Sequence, residues 1–74
     1  MQGKEKTMNV NQLQVGSVVE CELAVFTVGK IYQNGFVEMD PNKPYKVKDE
    51  ASPMAKYLGT GRLAVDVRCL RLAE

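Results

Sequence analysis

The chain has 74 residues, with ten Lys and Arg against nine Asp and Glu, a formal net charge of +1, no His, no Trp and two Cys. That is one small domain. It excludes histidine catalysis in any role, and two Cys without a His cannot supply the four ligands of a zinc site. The near-zero net charge argues against a surface that is basic throughout and built to hold a polyanion.

A chain of this length buries roughly 60% of the surface that its unfolded form exposes, so its stability is marginal. Small domains compensate with disulfides, metal or self-association. With metal disfavoured, self-association is the expectation here. The composition, 45% hydrophobic and 26% charged, fits a globular domain and is too apolar for disorder. No apolar run approaches the ~18 residues of a membrane span. The first seven residues hold no apolar stretch of the kind a secretory signal needs. The expected location is cytoplasmic, where Cys21 and Cys69 would be reduced thiols.

Residues 1–8 are polar, include the charged run Lys4, Glu5 and Lys6, and read as a frayed tail before a single domain over 9–74. Residues 9–16 predict one turn, with an Asn cap, Val10 and Leu13 on one side, and Gly16 ending it. Residues 17–26 alternate, with Val19, Cys21, Leu23 and Val25 on one face and Glu20 and Glu22 on the other, which predicts a strand. Val18 and Phe26 are apolar on the wrong face of it, as at a bulge or a doubly covered end.

Asn34 and Gly35 centre a hairpin. A two-residue loop would put Lys30 on the face of Val37 and Met39. A three-residue loop with Gly35 left-handed pairs Tyr32 with Phe36 and Lys30 with Glu38, leaving Ile31, Val37 and Met39 inward. The second register is the better pattern. It predicts a Lys30–Glu38 ion pair outside and a sharp bend at Gly29. Residues 40–44 are a turn by composition. Residues 45–48 are extended, at best a short strand. Residues 52–59 carry helix punctuation: Ser52 to cap, Pro53 at the first helical position and Gly59 past the end, for about two turns. Residues 59–61 form a turn or hinge. Leu63, Val65 and Val67 then alternate inward, and the phase slips toward Leu70 and Leu72, so the chain turns a corner near 68–70.

This order resembles the SH3-like small barrels. The stretch 13–19, LQVGSVV, looks like the lead-in to their first strand. The stretch 65–72, VDVRCLRL, looks like their last two strands, joined by a short helical corner that plugs one barrel end with a Leu, here Leu70. The resemblance implies an all-β, SH3-like barrel of about five strands with a short inserted helix. Such barrels host peptide binders, nucleic-acid binders, oligomeric scaffolds and at least one plasmid-borne reductase, so fold alone does not select a function.

Exposed aromatics commonly anchor interfaces. Tyr32, Phe36 and Tyr57 are therefore the candidate protein-binding anchors, with Tyr45 and its basic loop as a second patch. The alternative is a nucleic-acid contact, with Lys43, Lys46, Lys48 and Arg68 meeting phosphates and Tyr45 stacking on a base. Against these stand plainer uses: a hairpin-stiffening aromatic pair, a solvated lysine loop, and an outer charge ladder of Arg62 and Arg68 facing Glu20 and Glu22. Cys21 and Cys69 read as small buried hydrophobes, with a redox pair as the sharper alternative. Ser17, Ser52, Thr7, Thr27 and Thr60 have no histidine base, and the glycines form no phosphate loop. The expectation is a non-enzymatic binding or adaptor module, self-associating, with a protein partner and neither cofactor nor metal. An enzyme site assembled at a symmetry axis is a third class.

Overall fold

The computed structural model describes residues 12–73. Its strands are β1 (Val18–Glu20), β2 (Ala24–Ile31), β3 (Phe36–Met39), β4 (Lys46–Val47), β5 (Val65–Asp66) and β6 (Arg71–Leu72). They form one antiparallel sheet in the order β5-β3-β2-β1-β6, with β4 paired to the start of β2. The class is all-β, as expected, with six short strands where about five were predicted. The ends of the order, β5 and β6, do not pair with each other, and the sheet is open. The predicted tail over 1–8 and the start of the turn over 9–16 lie outside the described residues.

The strand expected over 17–26 is two strands. β1 stops at Glu20, the chain reverses at Glu22 and Leu23, and β2 returns with Val18 opposite Thr27 and Glu20 opposite Val25. The Cys21 N–H donates to the Ala24 carbonyl across the reversal at 2.9 Å. This resolves the apolar residues that sat out of phase. Val19 and Cys21 are buried before the turn, and Ala24, Phe26 and Val28 after it. Two residues of loop shift the inward set from odd to even positions.

The hairpin has the predicted register. Lys30 faces Glu38 and Ile31 faces Val37. The Tyr32 N–H donates to the Phe36 carbonyl at 2.8 Å, and Gly35 sits at φ 96°, the left-handed conformation that a three-residue loop requires. Val37 and Met39 are buried, and Ile31 packs against them. The predicted Lys30–Glu38 ion pair is not formed. Glu38 instead accepts a 2.8 Å hydrogen bond from Tyr32 Oη, and the Lys30 ammonium lies 4.9 Å from the Tyr32 ring centroid. The predicted bend at Gly29 is a bulge, where the ladder shifts between Val28 and Lys30.

Asp40 organises the following turn through its side chain and its carbonyl, which accept from the N–H groups of Asn42 and Lys43 at 2.9 and 3.1 Å. The extended segment after it is β4, a short strand on the edge of the sheet. The helix predicted over 52–59 is absent. A 3-10 turn over Ala55–Tyr57 stands in its place, and Leu58 is already extended. Ser52 does not cap it: the turn starts after Met54 with no side-chain cap, and the Ser52 hydroxyl accepts from the Met54 N–H at 3.2 Å in a local turn before it. The reason is length. A first helical turn fixes several residues for one hydrogen bond, and a segment that buries only Leu58 has too little packing to offset that cost.

Val65 and Asp66 alone form β5, and Leu63 and Val65 are half-buried as their alternation implied. The corner is a 3-10 turn over Val67–Cys69, with the Asp66 side chain accepting from the Arg68 N–H at its start. Val67 at its start and Leu70 just past its end are buried, and β6 then pairs with β1. The core is one cluster, and its largest fully buried side chain is Phe26. No helix among the described residues is long and apolar enough to cross a membrane.

Candidate functional site

The reversal at Glu22 and Leu23 places Val18, Glu20, Val25 and Thr27 together on the outer face of β1 and β2, because paired antiparallel residues point the same way. β4 adds Lys46 opposite Val25, and β6 adds Arg71 opposite Glu20. One row across four strands is thus Arg71, Glu20, Val25 and Lys46. Beside it lies an open groove of about 240 Å³ lined by Val18, Val25, Phe26, Pro44, Tyr45 and Lys46. Val18 and Tyr45 are each 46% exposed, well above the ordinary accessibility of packed apolar side chains.

Glu20 holds the charged end of this row. Its carboxylate accepts from Lys48 Nζ at 3.2 Å and from the Arg71 guanidinium at 3.0 Å. The Lys48 hydrogen bond and charge, aided by Arg71, hold its pKa below the usual glutamate value. The expected ladder therefore exists with different rungs: Arg71 and Lys48 meet Glu20, and Arg62 and Arg68 do not.

The other aromatic candidates lie elsewhere. Tyr32 and Phe36 are opposite each other at the end of the β2–β3 hairpin, and Phe36 adjoins Asp66 of β5. Phe36 is 38% exposed, whereas Tyr32 is half-buried and held by Glu38. Tyr57 sits in the 3-10 turn, half-buried, with the ammonium of its neighbour Lys56 5.2 Å from its ring centroid.

Of the basic candidates, Lys43 and Lys46 are exposed and have no ion pair among the described residues. Lys48 is engaged by Glu20. Arg68 lies beyond β5 and grips Asp66 with two nitrogens, at 3.2 and 2.7 Å. Hydrogen bonds from the Arg68 side chain, and then from its N–H, pull the Asp66 pKa down from 3.8 to about 2. A carboxyl depressed by folding stabilises the fold above its unfolded pKa and loses that contribution as pH falls through the folded value. The Asp66 contribution is thus complete above 3.8 and lost on acidification toward about 2. Carbon-detected NMR of the Asp66 carboxyl should give a midpoint near 2 in the native chain and a higher one in Arg68→Ala. A native midpoint at 3.8 would show that the pair does not form in solution.

Cys21 is buried as expected, but Cys69 is exposed on the corner turn, and both are free thiols. The strand phase that turned Cys69 inward ends at Val67, where the chain leaves β5 for the 3-10 turn. Among the described residues no three His, Cys, Asp or Glu side chains are grouped to hold a metal ion.

Sequence reasoning named Tyr45 and Lys46 but missed Val18, Val25 and Pro44 as parts of the same surface. The signal that could have found them is the shift of apolar phase between Cys21 and Ala24. No protein-family model, curated protein or solved structure matches the chain.

Proposed function

We propose that this chain is a non-enzymatic protein-binding module, an SH3-like small barrel in outline, that engages its partner through the outer-face groove at Tyr45. Two features support the barrel. β2 bends at Gly29 so that its first half pairs with β1 and β4 and its second half with β3. The corner at Leu70 then carries the chain from one end of the sheet order to β6 at the other.

The groove carries the binding reading. It is a contiguous apolar strip on the side of the sheet that faces away from the core, where a lone domain gains nothing by exposing Val18, Val25, Pro44 and Tyr45 together. The Tyr32–Phe36 pair is a second contact area, carried by the exposed Phe36, and Tyr57 contributes least because it is half-buried with no exposed aromatic beside it. A second copy of the chain is one partner that this reading allows. The nucleic-acid reading is weaker because two of its four cations, Lys48 and Arg68, already hold carboxylates. Lys43 and Lys46 alone would give only a shallow salt dependence.

The test is a photo-reactive amino acid placed at position 18, with position 56 as a control. In cells of the native host, position 18 should yield protein adducts that excess unlabelled chain competes away, and position 56 should not. Adducts at position 18 that nuclease removes would overturn the reading, as would equal adducts at the two positions.

A further inference from the structure

Three cations and one carboxylate lie along the row beside the groove. Lys48 and Arg71 both close on Glu20, and Lys46 stands across Val25 with no ion pair among the described residues. Each engaged cation uses one bond there: Lys48 Nζ has three donors and the Arg71 guanidinium five. Both remain partly exposed, at 35% and 57% of the side chain. Lys46 is the one cation in the groove lining, and it has no carboxylate partner among the described residues, while the rest of the lining is largely apolar.

We infer that the groove takes an acidic peptide segment of another protein, seating an apolar side chain against Val18, Val25 and Tyr45 and setting a neighbouring carboxylate on Lys46. The inference rests on the protein-binding reading above and adds the chemistry of the partner. The dimensions agree. A volume of about 240 Å³ is smaller than the ~300–1,000 Å³ of sites that enclose small molecules, and it suits one or two apolar side chains. A nucleobase fits the lining poorly. Its edge carries several donors and acceptors that need partners. The lining offers the Lys46 ammonium and the Tyr45 hydroxyl as its only polar side-chain groups. Electrostatic complementarity between a basic rim and an acidic segment would set orientation and on-rate, with the apolar contact supplying the hold.

The experiment is a proton–nitrogen NMR titration of the full chain with three probes: the capped hexapeptide EELLEE, its basic counterpart KKLLKK, and a short oligothymidylate. The acidic peptide should move the amides of Val18, Val25, Tyr45 and Lys46, and the basic one should not. Lys46→Glu should weaken the acidic peptide by about fivefold, and Lys46→Gln by less, with both variants keeping the native spectrum elsewhere. Equal shifts with the basic peptide would overturn the acidic preference and leave protein binding standing. Shifts that arise on concentrating the chain alone, with no response to either peptide, would make a second copy the occupant and overturn the inference in the same limited way. Shifts with oligothymidylate and neither peptide would overturn both readings. A face that no probe moves would overturn the inference.

Discussion

Gly29→Ala should lower the stability of the fold by about 2–3 kcal/mol, the cost of forcing a methyl group into a space that has no room for it. A Cβ on Gly29 would stand 2.7 Å from Asp40 Cα and 2.9 Å from Asp40 N. Those are backbone atoms, and they cannot swing aside as a side-chain tip can. Asp40 is also held in place. Its N–H donates to the Thr27 carbonyl at 2.8 Å, and its side chain and carbonyl fix the turn that leads to β4. Displacing it strains the bulge and the turn together. Gly35→Ala is the informative comparison, because a Cβ there meets nothing within 4 Å. It carries only the left-handed backbone penalty of about 1–2 kcal/mol. Urea midpoints of the two variants read the difference. A Gly29→Ala midpoint equal to the native one, or above that of Gly35→Ala, would show that β2 and Asp40 are not so closely apposed.

The contrast between those two glycines marks what the sequence could disclose. Asn34 and Gly35 announce a hairpin, and the alternation on either side leaves one register that buries Val37 and Met39, so that unit was legible to the residue. The bend at Gly29 was legible for the same reason, since a glycine amid inward-facing residues has few other uses. The reversal at Glu22 and Leu23 carries no Gly, Pro, Asn or Asp, and nothing in its composition marks a turn. Read straight through, 17–26 puts Val18 and Val25 on opposite faces. Folded back, they share one, and the groove exists only because of that fold. The segment at 52–59 failed in the opposite way. Its punctuation is that of a helix, and Met54, Tyr57 and Leu58 are apolar at i, i+3 and i+4, but of these only Leu58 is buried, too little packing to hold two turns in place. That Glu20 would meet cations on the outer face was legible, but not which ones. Which cation reaches Glu20 depends on β4 and β6 flanking the same hairpin, a non-local fact that spacing along the chain does not encode.

Phe26→Ala should leave the chain largely unfolded at room temperature. Phe26 is 2% exposed and is the largest of the fully buried side chains. It lies in the first half of β2, the strand that pairs with β1, β3 and β4. Removing a buried ring costs about 3–5 kcal/mol through lost transfer energy and the cavity left behind. A single core in a chain below about 70–80 residues rarely supplies more than ~3–5 kcal/mol in total. The two quantities are of the same size, so the variant should have no cooperative thermal transition and a collapsed amide dispersion. Phe26→Leu keeps the measurement quantitative. It retains most of the volume and should cost about 1–2 kcal/mol, leaving a cooperative transition at a lower midpoint. The groove gives an independent check, because Phe26 is among its lining residues and is the next residue along β2 from Val25. In Phe26→Leu the amides of Val18, Val25 and Tyr45 should move while those around Asn34 and Gly35 at the far end of the hairpin stay put. A native-like, fully cooperative Phe26→Ala would mean that the sheet does not depend on β2 for its core, and the strand order described here would have to be redrawn.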